Sequence, residues 1–140
     1  MQKQRNKATK SNIKLIAGTW RGRKINFIEK NNLRPTKGII KETLFNLLQN
    51  YIEGSICLDM FAGSGSLGFE AASRGAKYVY MFENDKETID CLIKQKKALS
   101  ANNINILYAD ANLFENHVKD MVDIIFLDPP FSENLLQNMI

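Results

Sequence analysis

An α/β fold built on a parallel, doubly wound sheet is what this sequence predicts, and three observations predict it. From residue 56 onward, short apolar strands alternate with amphipathic helices in a βαβαβαβ order. A glycine-rich turn, Gly63-Ser64-Gly65-Ser66-Leu67-Gly68, leaves the first of these strands and enters a helix. Acidic residues stand at the carboxyl ends of successive strands, the edge where ligands bind in such sheets.

Taken in order, residues 1–12 read as a disordered basic tail, and residues 13–140 as one domain. Ile13, Leu15, Ile25 and Phe27 mark a short two-stranded ribbon, with Gly18-Thr19-Trp20-Arg21-Gly22-Arg23 as its turn. Trp20, among arginines, is either packed on the domain or free to meet a base or sugar. Thr36 is a candidate N-cap. The helix after it is marked by Ile39, Ile40, Leu44, Leu47 and Leu48 and runs to about Asn50, with Gly54 as a stop. Strands are expected over 56–61, 78–83, 104–109 and 124–127. Helices are expected over 67–73, 86–100, with Ile89, Leu92, Ile93 and Leu99 on one face, and 113–120. A last helix is expected after Ser132. Four parallel strands leave an apolar edge uncovered, so the fold is expected to be truncated after the fourth strand or completed by something else.

The chain has 140 residues, 44% hydrophobic and 24% charged, ordinary values for a soluble globular domain. No apolar run approaches the roughly 18 residues that cross a bilayer, and the polar start lacks a secretory h-region. Cys57 and Cys91 fit neither a metal motif nor a disulfide framework, which points to reduced, packed cysteines and a cytoplasmic setting. The only histidine, His117, has no partner for a hydrolytic triad or a metal site, so no metal is expected. Eight of the 19 basic residues, and none of the 15 acids, lie in residues 1–24. A basic arm on an otherwise acidic chain is a footprint of phosphate-backbone binding or a plain solubilising tail.

The glycine pattern alone suits dinucleotide and S-adenosylmethionine (SAM) folds alike. Asp59, ending the strand before the loop, favours SAM: a carboxylate there attracts the ammonium of a methionine moiety and repels a pyrophosphate. Glu83 can take both ribose hydroxyls, and Asp110 can accept from an adenine amino group. Asp128-Pro129-Pro130-Phe131 closes the fourth strand. Two prolines end strand pairing and leave carbonyl oxygens without intrachain donors. These oxygens and the Asp128 carboxylate can hold the hydrogens of an exocyclic base amine, and Phe131 can stack a flipped base.

These residues resemble the RsmD family, the bacterial small-subunit rRNA guanine-N2 methyltransferases. The resemblance rests on Asp59-Met-Phe-Ala-Gly-Ser-Gly-Ser-Leu-Gly and Asp128-Pro-Pro-Phe. It rests more specifically on Ile16-Ala-Gly-Thr-Trp-Arg-Gly-Arg-Lys24, Leu33-Arg-Pro-Thr36 and Lys41-Glu-Thr-Leu-Phe-Asn46. It departs from the family pattern at Lys37-Gly38-Ile39-Ile40, and the family continues for several strands beyond this motif. The resemblance implies a Rossmann-like methyltransferase fold, SAM as donor, and 16S rRNA in the small ribosomal subunit or an assembly intermediate as substrate. It implies cofactor contacts from Asp59, Phe61, Gly63, Gly65, Glu83 and Asp110, catalytic contacts from Asp128, Pro129, Pro130 and Phe131, and less directly roles for Arg34 and Thr36. A monomer is expected. The alternatives are an adenine-N6 DNA or RNA methyltransferase, an inactive RNA-binding fragment of the family, and an NAD-dependent oxidoreductase resting on the glycine pattern alone.

Overall fold

The computed structural model describes residues 9–29, 38–108 and 121–129. The expected tail over 1–8, the Arg34–Thr36 connector, Asp110, His117, Pro130, Phe131 and the helices near 113–120 and after 132 lie outside these residues.

A parallel four-stranded sheet forms from β3 (Ile56–Asp59), β4 (Tyr78–Glu83), β5 (Ile104–Tyr108) and β6 (Ile124–Phe126), in the order β5-β4-β3-β6. The chain moves outward from β3 through β4 to β5, then returns to the other side of β3. That reversal makes the gap between β3 and β6 the topological switch point, where ligands sit in parallel sheets. Asp59 pairs in register with Phe126, two residues before Asp128, and with Met81 on β4.

Alternation sorts the side chains onto two faces. Cys57, Val79, Met81, Ile104 and Phe126 join the main core, where α3 (Ser66–Ser73) and α4 (Lys86–Leu99) pack through Phe69, Ala71, Ala72, Leu92 and Leu99. The opposite face holds a smaller cluster of Leu58, Met60 and Phe82, flanked by Phe61, Tyr80, Leu107 and Val122. The described helices cover the first face. Ile125 on β6 and Leu127 just after it remain exposed.

α4 has the local signals its sequence announces. The Asp85 carboxylate accepts from the Thr88 N–H at 3.0 Å, closing the first turn, and Glu87 follows it. At the other end, Lys96 and Lys97 meet the negative end of the helix dipole, and Ser100 turns the chain with φ 52°. Ile93, expected on the inward face, lies at its margin and is 37% exposed.

Two expectations are corrected. The ribbon is longer than its apolar positions indicated. β1 (Thr9–Lys14) pairs antiparallel with β2 (Lys24–Glu29), so pairing takes in four residues assigned to the tail. Lys10 and Asn12 are exposed, and polar side chains on that face hide the strand from a search for hydrophobic alternation. The first helix divides at Leu48 into α1 (Gly38–Leu47) and α2 (Gln49–Ile52), and its inward face is only partly the expected one: Leu44 and Leu48 pack against the core as expected. Lys41, Phe45 and Ile52 are buried, whereas Ile39, Ile40 and Leu47 are exposed. The physical reason is a buried carboxylate: Glu70 on α3 draws the Lys41 ammonium inward, Nζ lying 3.4 Å from Oε1.

Gly18 shows how tightly the ribbon turn is seated. Its φ is +90°, and a Cβ there would lie 1.8 Å from the Ser73 carbonyl oxygen. Gly18→Ala is therefore expected to lift the turn off α3 while leaving the sheet folded. Acrylamide quenching of Trp20, the single tryptophan, should rise about twofold or more on the scale of a newly solvated indole. Unchanged quenching would mean that the turn is not held there.

Candidate active site

The loop after β3 is shaped by hydrogen bonds that tie it to both neighbouring strands. Met60 N–H donates to the Phe126 carbonyl at 3.1 Å, and Ala62 N–H to the Phe82 carbonyl at 2.9 Å. Gly63 and Gly65 then take positive φ, 54° and 87°, which side-chain-bearing residues rarely adopt. A Cβ on Gly65 would also meet the Phe69 ring at 2.5 Å. Gly68 lets α3 approach the sheet, with Met81 and Asp59 about 3 Å from where its Cβ would be.

Asp59 is 1% exposed. Its Oδ2 accepts from the Gly68 N–H at 3.1 Å, while Oδ1 has no well-formed hydrogen bond. Burial pushes the Asp59 carboxyl up to about 7. The Gly68 N–H and, more weakly, the Phe61 N–H oppose that shift, and the negative charges of Asp128 and Glu83 add to it. A buried carboxylate oxygen with no donor is costly unless a ligand supplies one.

Glu83 ends β4 beside the loop. Its Oε1 accepts from Gly63 N–H at 3.0 Å and its Oε2 from Asp85 N–H at 3.1 Å. The carboxylate braces the turn and keeps lone pairs for hydroxyl donors. Ser66, at the first position of α3, is buried with its hydroxyl unpartnered. Phe61 is half-buried against the smaller cluster, Pro129 is half-buried, and Asp128 is exposed.

Of the residues expected from sequence, the structure gathers Asp59, Gly63, Gly65 and Glu83 around one loop, with Asp128 close enough to act electrostatically on Asp59. Asp110, Pro130 and Phe131 lie outside the described residues. Among the described residues no group of acidic, histidine and cysteine side chains could hold a metal ion, and no helix is long and apolar enough to cross a membrane.

Sequence reasoning missed Glu70, Lys41, Ser73 and Arg74. Glu70 is fully buried and accepts from Ile16 N–H at 3.0 Å, Ala17 N–H at 3.1 Å and Arg74 Nε at 2.8 Å. The available signal was a charged pair at i, i+4 in and just after a helix that is otherwise small and apolar.

A parallel sheet with this strand reversal, and a glycine loop leaving its central strand, is the architecture of the SAM-dependent methyltransferases. The family described as conserved hypothetical protein 95 matches residues 13–140. A ribosomal RNA small subunit methyltransferase D from Haemophilus influenzae is 41% identical over 150 residues, covering 100% of this chain and 75% of that protein. The protein of the same name from Escherichia coli K12 is 40% identical over 138 residues, covering 99% of this chain and 70% of its own. A solved Escherichia coli structure superposes with a TM-score of 0.80 at 41% identity, over 93% of this chain and 72% of that one. A Streptococcus mutans structure holding S-adenosylhomocysteine shares the fold, with a TM-score of 0.54 at 19% identity. The chain belongs to the RsmD family of small-subunit ribosomal RNA methyltransferases.

Proposed function

We propose that this protein transfers a methyl group from SAM to the exocyclic N2 of a guanine in small-subunit (16S) ribosomal RNA. The observation that carries the reading is Asp59: a fully buried carboxylate at the switch point, with one oxygen held by Gly68 and the other without a well-formed hydrogen bond. A cationic amino group is the partner such an oxygen requires. The site as a whole is acidic, from Asp59, Glu83 and Asp128, which suits a ligand with an ammonium and a sulfonium and opposes a pyrophosphate. This favours SAM over NAD.

When bound, SAM supplies an electrophilic methyl group. The chain's own residues bind and orient. Asp59 holds the amino acid end, the Gly63–Gly65 turn brings backbone close to the ligand, and Glu83 takes the ribose hydroxyls. Asp110 reads the adenine. Asp128 and the carbonyls of the Pro129-Pro130 turn accept the two hydrogens of the target amine, aiming its lone pair at the methyl, and Phe131 stacks the base. An aryl amine is a weak nucleophile, so this holding and the local negative field do most of the catalysis. Release of the amine proton follows transfer, with Asp128 or water as acceptor. The substrate is met in the cytoplasm, as a small subunit or its assembly intermediate, by a monomer.

The test is to incubate the protein with methyl-labelled SAM and unmodified small ribosomal subunits, then identify the labelled nucleoside. N2-methylguanosine is expected. N6-methyladenosine would keep the cofactor and overturn the target, and no label would reject the activity. In the same assay Asp128→Ala should lower kcat about a hundredfold with SAM affinity within about twofold, as expected for a group acting mainly in the transition state. A loss confined to SAM binding would remove Asp128 from the substrate side.

A further inference from the structure

Outside the cofactor loop, the described residues hold a buried ionic cluster that the reaction does not use. Glu70 is 0% exposed and Lys41 is 2% exposed. Glu70 pairs with Lys41 from α1 and Arg74 from the end of its own helix, and its two oxygens also take the N–H groups of Ile16 and Ala17. Ser73, one turn on, adds a second set: its hydroxyl donates to the Ala17 carbonyl at 2.7 Å and accepts from Trp20 N–H at 3.0 Å, while its carbonyl accepts from Thr19 N–H at 2.7 Å. Burying Glu70 and Lys41 beside a partly exposed Arg74 is a poor way to gain stability, because desolvation offsets most of the attraction. Such a cluster does fix geometry, since each partner is usable in one arrangement only.

What it fixes is the ribbon turn. Residues 16–20 lie immediately before Arg21, Arg23 and Lys24, which are exposed. Arg23 is itself anchored to the Ala98 carbonyl at 3.0 Å, at the last turn of α4. Between this seat and the cofactor loop runs only α3, an eight-residue helix about 12 Å long. At its far end Gly68, two residues before Glu70, holds Asp59. Arg74 also lies over the Phe45 ring, 4.9 Å from its centroid, and Phe45 packs on Phe126, which leads into Asp128.

We infer that Glu70 is a positioning residue for the RNA substrate: it locks the basic turn of the ribbon at a set distance from the cofactor loop, so that RNA held by that turn presents its base at Asp128. This rests on the proposed function. RNA binding by the turn then depends on a seat that contributes nothing to SAM binding.

The experiment compares wild type, Glu70→Gln and Ser73→Ala in three measurements. These are Kd for unmodified small ribosomal subunits, Kd for SAM, and acrylamide quenching of Trp20. Glu70→Gln should raise the subunit Kd about tenfold and increase Trp20 quenching, with the SAM Kd within about twofold. Ser73→Ala removes two hydrogen bonds without stranding a buried charge and should raise the subunit Kd about threefold, so it carries the test if Glu70→Gln fails to fold. A subunit Kd unchanged in the variant that folds, or SAM and subunit affinity falling together, overturns the inference. Failure of the proposed function shows separately, as wild type that binds subunits but transfers no methyl group to them.

Discussion

Asp59→Asn is expected to weaken SAM binding about a hundredfold or more, and at the same time to make the ligand-free protein more stable at pH 8. The two effects have one cause. Removing the charge from a buried ion pair costs roughly 2–5 kcal/mol of binding, here the loss of the carboxylate that meets the methionine ammonium. Without ligand that same carboxylate is a liability, because burial lifts its pKa to about 7. A carboxyl whose folded pKa lies above its unfolded value holds its proton more tightly when folded. The penalty of ionising it is absent below about pH 4, grows as pH rises toward 7, and is full above that, on the order of 4 kcal/mol. Asparagine keeps an acceptor for Gly68 N–H and carries no charge. The melting temperatures of wild type and Asp59→Asn should therefore diverge between pH 4 and 7 in favour of the variant. In wild type the SAM affinity should fall about tenfold per unit below pH 7, since the ammonium requires the ionised form. Calorimetric binding in two buffers of different ionisation enthalpy would reveal the released proton. Flat SAM affinity from pH 5.5 to 7.5 would place the ammonium elsewhere.

Gly65→Ala should be the most damaging single substitution in the cofactor loop. The residue sits at φ +87°, costing about 1–2 kcal/mol for a side chain there. Its Cβ would meet Phe69 at 2.5 Å and Leu92 at 2.9 Å, a core overlap worth about 1–3 kcal/mol more. Together these approach the whole stability of a small domain. A fall in melting temperature of about 10 °C or more is expected, with loss of SAM binding. Adding Phe69→Leu relieves the closer overlap but neither the Leu92 contact nor the backbone strain, so it should restore part of the stability and little of the binding. A Gly65→Ala protein that melts within about 2 °C of wild type would show the turn to be looser than its geometry.

The parallel sheet was legible because its strands are short apolar runs ended by acids and glycines, signals that survive without tertiary context. β4 falls where its sequence places it, and β3, β5 and β6 end one or two residues early. That Asp59, Gly63, Gly65 and Glu83 meet at one loop was equally legible, because a glycine turn between a strand and a helix draws the strand-end carboxylates to it. Helix α1 was not. Leu44 packs inward as its hydrophobic pattern requires, but the pattern also points Ile39 and Ile40 inward, and only a charge on another helix, 29 residues along from Lys41, puts Lys41 in their place. Glu70 was invisible for a related reason: its partners are backbone N–H groups of Ile16 and Ala17, and no side-chain pattern encodes an acceptor more than fifty residues distant. Local period yields to long-range electrostatics wherever a buried charge has found its counterion.

The ribbon's dependence on α3 and α4 has a consequence for synthesis. Its strands can pair with each other as soon as they leave the ribosome, but the groups that seat its turn, Glu70, Ser73 and Ala98, are made roughly 50 to 75 residues later. For that interval of a few seconds at ordinary elongation rates, a strongly basic hairpin hangs unanchored beside the RNA surface of the machine that is making it. Glu70 and Ser73 on α3 can begin to draw the hairpin onto its own protein, and the Arg23 contact to Ala98 must wait for α4. The nascent chain thus passes through a state whose charge is displayed without any of the restraint that the finished fold imposes on it.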